Sequence, residues 1–249
     1  MNVFRSSVVA AFLCGAAPVS ADCVILLHGL ARSEASFLVM EAALEREGYR
    51  VVRPGYPSTR KNVSELARET LPAAFEQCGA ETSHIVSHSM GGILTRLYLA
   101  ERRPETLGRV VMLGPPNHGS ELVDELGDWA LFELLNGPAG MELGTGDGAL
   151  IQQLPPVDYP LGVIAGTRSL NPLFSALIPG KDDGKVSVKS TAAKGMTAQI
   201  VLPVTHTFMM NDPVVIAQVV HFLSEARFDP SLGWRDGVFG TTEQGKDKR

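Results

Sequence analysis

Short unbroken apolar runs alternate along the chain with stretches in which apolar residues recur every three or four positions. Val24-Ile25-Leu26-Leu27 is one such run, ended by His28-Gly29, the pattern of a strand buried on both faces. Phe37, Met40 and Leu44 then fall at helical spacing among Glu41, Glu45 and Glu47, with Gly48 as a stop signal. Tyr49–Val52 reads as a strand running into Pro54-Gly55-Tyr56-Pro57. Asn62 and Glu65 form a capping-box start. The helix they open carries Leu66, Leu71, Phe75 and Cys78 on one side and a kink at Pro72. His84–Ser87 predicts a third strand, Gly91–Glu101 a helix and Arg109–Leu113 a fourth strand. Leu161–Ala165 and Thr197–Leu202 predict two more, and Asp212-Pro213 opens a helix with Val215, Val219 and Phe222 at helical spacing.

Strands alternating with amphipathic helices predict an α/β fold, a mostly parallel sheet with helices on both faces. Chemistry in such sheets sits outside the carboxyl ends of the strands. The alternation lapses over residues 119–158, about forty residues without a strand, too long for an ordinary connection. One amphipathic piece, Leu122–Leu135, lies inside it. The pattern predicts a single domain over residues 22–236 and a polar, flexible tail over 237–249.

With 249 residues, 45% hydrophobic and 20% charged, the chain can bury a substantial core. A mean hydropathy of +0.09 and the lack of a long charge block exclude intrinsic disorder. The net charge of −5, with no basic stripe, excludes nucleic acid as a partner. No apolar run reaches the roughly 18–20 residues that span a bilayer. Residues 1–21 read as a cleavable signal peptide: Arg5, the apolar run Val8–Ala17, then Val19 and Ala21 at the −3 and −1 positions. Cleavage after Ala21 predicts a secreted or periplasmic product and removes Cys14. Cys23 and Cys78 remain, an even pair in an oxidising compartment. Cys23 precedes a strand and Cys78 ends a helix running back to the same sheet edge, so a disulfide fits. Two unpaired thiols stay open as the alternative, because topology alone does not set Cα atoms roughly 4.4–6.8 Å apart.

Three polar features fall at predicted strand ends. The first is Ser87-His88-Ser89-Met90-Gly91-Gly92, between a strand and a helix. A serine on such a sharp turn is held out of the sheet beside free helix amides, with a small residue, Gly91, needed two positions on. Here the sequence resembles the α/β-hydrolase family, in particular its secreted lipases and esterases, whose elbow reads Gly-x-Ser-x-Gly. Ser87 stands where the family has its first glycine. His28-Gly29-Leu30 resembles the family's His-Gly oxyanion motif, without the longer glycine run. The resemblance implies backbone N–H donors at Leu30 and Met90, with His28 shaping the loop and Gly29 admitting substrate. Hydrolases of this fold run Ser, then acid, then His. Asp182-Asp183-Gly184-Lys185-Val186 resembles the lipase Asp-Gly-x-Val segment, which aligns Asp183 with the catalytic acid. Asp182 is its neighbour, and Asp158 and Asp212 fit less well by position. His206, after the last strand, stands where the family has its base.

The remaining histidines invite plainer readings. His84 opens a strand and His221 lies in the last helix. His88, and His118 within Pro116-Asn117-His118-Gly119-Ser120, are read as pocket walls, and no His/Cys/Asp cluster has metal-ligand spacing. In lipase-like enzymes the 119–158 position carries a cap or lid. Trp129, Leu131, Phe132, Leu134 and Leu135 would then face an acyl chain, or else simply cover the sheet. The resemblance covers about residues 23–226 and implies a cofactor-free serine hydrolase acting on carboxylic esters through Ser89, His206 and Asp183. Its partners would be a small-molecule ester or lipid and, transiently, a lipid surface, with no obligate protein partner. A thioesterase or acyltransferase is the near alternative; a catalytically silent binding protein is the distant one.

Overall fold

The computed structural model describes residues 21–126, 137–146 and 150–240. Residues 1–20, the apolar set Trp129, Leu131, Phe132, Leu134 and Leu135, and the tail beyond Gly240 lie outside them. Six strands form one parallel sheet in the order β2-β1-β3-β4-β5-β6. They are β1 (Cys23–Leu27), β2 (Arg50–Val52), β3 (Ser83–His88), β4 (Leu107–Leu113), β5 (Leu161–Arg168) and β6 (Ala198–Thr205). Four of the six match the predicted runs closely, and β5 runs three residues past its predicted end at Ala165. Strand β6 continues past the predicted end, through Pro203. It is an edge strand, where a residue without an N–H is tolerated.

Successive side chains in β1 serve opposite cores, as the pleat requires. Ile25 and Leu27 face α2 (Val63–Cys78) and α3 (Met90–Glu101), whereas Val24 and Leu26 face α1 (Leu38–Arg46) and the long helix Pro213–Glu225. Strand β4 repeats the pattern, with Val110 and Met112 on the first side and Val111 and Leu113 on the second. The capping box at Asn62 forms as the sequence predicts, with Glu65 N–H donating to the Asn62 side chain at 2.8 Å. A disulfide joins Cys23 at the start of β1 to Cys78 at the end of α2, with Cα atoms 5.7 Å apart. It closes a loop with a sequence separation of 55.

Four short helices escape the sequence pattern or only partly follow it: α4 (Glu121–Leu126), α5 (Pro172–Leu177), α6 (Val188–Thr191) and, following α7 (Pro213–Glu225), α8 (Trp234–Phe239). The last of these crosses the expected start of the flexible tail at residue 237. Gly237 is buried, and a Cβ there would lie 1.8 Å from the Pro213 carbonyl oxygen, so this turn packs against α7 instead of trailing loose. The described part of 119–158 contributes to both the core and a cavity. Ala139, Leu143 and Ile151 join the core on the α2–α3 side, while Leu122, Val123 and Leu143 line a cavity above the sheet.

Candidate active site

Strand β3 ends at His88, and the chain turns at Ser89 with φ 54° and ψ −123° before entering α3. Few non-glycine residues adopt that conformation. It is held by Ser89 N–H donating to the Leu113 carbonyl of β4 at 2.8 Å and by Gly92 N–H donating to the Ser89 carbonyl at 2.9 Å. Gly91 makes the turn fit, since a Cβ there would lie 2.5 Å from the Leu27 carbonyl oxygen. Ser87 sits inside the sheet, fully buried between Leu27 and Met112. The sheet therefore accommodates the serine that replaces the family's first glycine.

The three residues singled out on different segments meet here. His206 Nδ1–H donates to Asp183 Oδ2 at 2.8 Å, and Ser89 Oγ–H donates to His206 Nε2 at 3.0 Å. Asp183 is buried, and its Oδ1 accepts from the backbone N–H groups of Lys185 at 3.0 Å and Val186 at 2.9 Å. His206 N–H also donates to the Asp183 carbonyl at 3.0 Å, so the acid's main chain and side chain both orient the imidazole. The other acids have different tasks. Asp182 accepts from Gly184 N–H and Ser175 Oγ, Asp158 pairs with Arg103 at the surface, and Asp212 caps α7. Gly114, at the end of β4, forms the floor beneath the pair; its φ is +53°, and a Cβ there would lie 2.9 Å from Asp183 Oδ2. Nothing in its sequence context beyond a turn signal marks that role.

Leu30 lines the cavity beside Ser89. Met90 is the first residue of α3, so its N–H is among the first-turn amides that have no partner inside the helix. Gly29 lies against His88 and Ser89. The His28 ring stacks on Tyr56 with centroids 3.8 Å apart, the Tyr56 hydroxyl donates to the His28 carbonyl, and burial lowers the imidazole pKa. It shapes the loop. His88 is buried and its Nε2–H donates to the His206 carbonyl at 2.9 Å. Burial, then the neighbouring His206, hold its pKa well below the ordinary value, so it stays neutral and steadies the base. His118 is not a pocket wall. It is exposed and does not line the cavity, and its backbone N–H donates to the Ser190 carbonyl while its carbonyl accepts from the Gln152 side chain.

The cavity over Ser89 has a volume of about 400 Å³. Leu30, Leu122, Val123, Leu143, Phe174 and Val186 make most of it apolar, while Arg32 and Lys185 bring cationic side chains to it. The sequence pattern marks neither Phe174 nor Arg32, and it reaches Lys185 only as the variable position of the Asp-Gly-x-Val segment. Among the described residues no group of three His, Cys, Asp or Glu could hold a metal ion, and no helix is long and apolar enough to cross a membrane. In this arrangement neutral His206 can take the Ser89 proton while Asp183 fixes the tautomer and stabilises imidazolium.

Comparison with known proteins places the chain among relatives of the same architecture. A triacylglycerol lipase of Pseudomonas fragi is 30% identical over 110 residues, which are 41% of this chain and 37% of that lipase. This match therefore spans little more than a third of the lipase's length. The mature Bacillus licheniformis lipase BlEst2 superposes with a TM-score of 0.68 at 21% identity, over 84% of this chain and 94% of that one. The RedJ thioesterase of prodiginine biosynthesis in Streptomyces coelicolor gives a TM-score of 0.58 at 16% identity, over 89% of this chain and 98% of that one. The model of the alpha/beta hydrolase family matches residues 24–234, and the chain belongs to that family.

Proposed function

We propose that the protein is an exported serine hydrolase that cleaves carboxylic esters through a covalent acyl-enzyme. The observation that carries this reading is the unbroken chain Asp183–His206–Ser89, with links of 2.8 and 3.0 Å, opening on an apolar cavity. Ser89 Oγ attacks the ester carbonyl as its proton passes to His206 Nε2. The Leu30 and Met90 N–H groups receive the charge that builds on the carbonyl oxygen, a task in which each donor is worth about 2.7–4 kcal/mol. As the tetrahedral species collapses, the C–O bond to the alcohol breaks and His206 returns the proton to the leaving oxygen. Water, deprotonated by His206, then attacks the acyl-Ser89 ester and frees the acid. A cavity of about 400 Å³ with apolar walls suits a short-to-medium acyl group. The Cys23–Cys78 disulfide supports export, since such bonds persist in oxidising compartments.

Hydrolysis of p-nitrophenyl esters from acetyl to palmitoyl, by the protein beginning at Asp22, tests the reading. The wild type should be active with an optimum at a short or medium chain, and Ser89→Ala should lose at least about 10⁴-fold in kcat. Activity that survives Ser89→Ala would sink it. A folded protein that ignores every oxygen ester yet cleaves acyl thioesters would move the reading to a thioesterase.

A further inference from the structure

Two cationic side chains line the same cavity as Ser89, and the proposed ester chemistry assigns a task to neither. Arg32 lies two residues beyond Leu30 and is held by a hydrogen bond from its guanidinium Nη2 to the Thr207 carbonyl at 2.9 Å, just past His206. Lys185 follows Gly184 on the Asp183 loop and opens to solvent at the cavity mouth. Both line the cavity that also contains Ser89 and His206. Among the described residues neither has a carboxylate partner within 4.0 Å. Asp183, the acid beside Lys185, is committed to His206 through one oxygen and to two backbone amides through the other. Partial desolvation, then the Arg32 charge, lower the Lys185 pKa against the opposing pull of the Asp183 carboxylate. Like charges thus share one small volume in a chain whose net charge is −5. An anion bound there would meet both cations at once.

Resting on the serine-esterase reading, we propose that the ester this site selects carries a negative charge close to the scissile bond, seated between Arg32 and Lys185. The chemistry is a carboxylate or phosphate on an otherwise apolar ester, whose chain lies along Leu122, Val123 and Phe174. Arg32 offers a planar fork of donors and Lys185 a mobile point charge, a pair suited to either anion.

Two matched substrate pairs, held below their micelle concentrations, test this. Hexanoyl glycerophosphate against monohexanoyl glycerol puts the charge on the alcohol side. Mono-p-nitrophenyl glutarate against p-nitrophenyl pentanoate puts it on the acyl side. The expected result is a kcat/KM preference of at least about tenfold for the anionic member of one pair, which names the side. That ratio should fall about tenfold in Lys185→Met and in Arg32→Met, and return in Lys185→Arg. Equal or better turnover of the neutral member in both pairs overturns the proposal. So does a ratio that survives both substitutions, or an equal loss on charged and neutral esters, which would give the cations to the oxyanion instead. Calorimetric binding by Ser89→Ala keeps this test separate from that of the esterase reading. Tight binding of hexanoyl glycerophosphate and weak binding of monohexanoyl glycerol supports the anion site even if turnover fails. Indifference between the glutarate and pentanoate esters as well as between the glycerol esters would dispose of it.

Discussion

Ser89 is held where a side chain is unwelcome, and that has a measurable consequence. At φ 54° and ψ −123° the residue stores backbone strain of roughly 1–3 kcal/mol, which glycine would not incur. Ser89→Gly should therefore abolish hydrolysis and yet raise the unfolding free energy by about 1 kcal/mol, or roughly 2–4 °C in Tm. Ser89→Ala should abolish hydrolysis while leaving Tm near that of the wild type. Thermal unfolding followed by circular dichroism decides it, and a glycine variant less stable than the alanine variant would refute strain at this position. The serine, Asp183 and His206 were legible in the sequence because each sits in a local pattern: a strand-to-helix turn, an Asp-Gly-x-Val segment, a histidine after the last strand. Arg32, Lys185 and Phe174 carry no such pattern. They come from the loop after β1, the Asp183 segment and helix α5, and meet only once the sheet has folded, so spacing along the chain conceals them. Gly114 was readable as a turn residue, but its place beneath the Asp183–His206 bond depends on a neighbouring strand and could not be.

At the scale of elements, the disulfide fastens helix α2 to the first strand. Cys23 and Cys78 are buried in the core on that side, and the loop between them also contains α1 and β2. Replacing both cysteines by alanine should lower the unfolding free energy by about 2–4 kcal/mol, chiefly by releasing the unfolded chain. Urea unfolding of the double variant measures this, and a midpoint equal to that of the oxidised wild type would show the bond to be dispensable. The strands could be read in advance because a parallel strand covered on both faces needs an unbroken apolar run, as in Val24–Leu27. The far end of β6 could not, since proline ordinarily argues against a strand and only the edge position excuses Pro203. Helices of four to six residues such as α5 and α6 are too short for a helical period to show, and their caps, Asn171 and Ser187, are common in loops as well.

The molecule as a whole is set up to weaken in mild acid. His28, His84 and His88 are buried with pKa values lowered by desolvation, most strongly at His88, while in the unfolded chain each titrates near 6.5. Above that value both states are neutral and pH has no effect through these groups. Below it the unfolded chain binds protons that the folded one refuses, so stability falls as pH falls, by up to about 1.4 kcal/mol per pH unit for each histidine. Urea unfolding between pH 7.5 and pH 5 should show that decline, and His88→Gln should reduce its slope; a flat profile would mean that these rings are charged in the fold. The same whole-molecule view gives the sequence distance between Ser89 and His206, 117 positions, a meaning of its own. In the proposed triad the nucleophile leaves the ribosome just after β3, but its base only after β6, at the opposite edge of the sheet from β2. A chain still being synthesised, or cut short anywhere before residue 206, has an attacking group with nothing to take its proton. If the proposed triad does the chemistry, the order of the strands keeps it latent until β6 has docked.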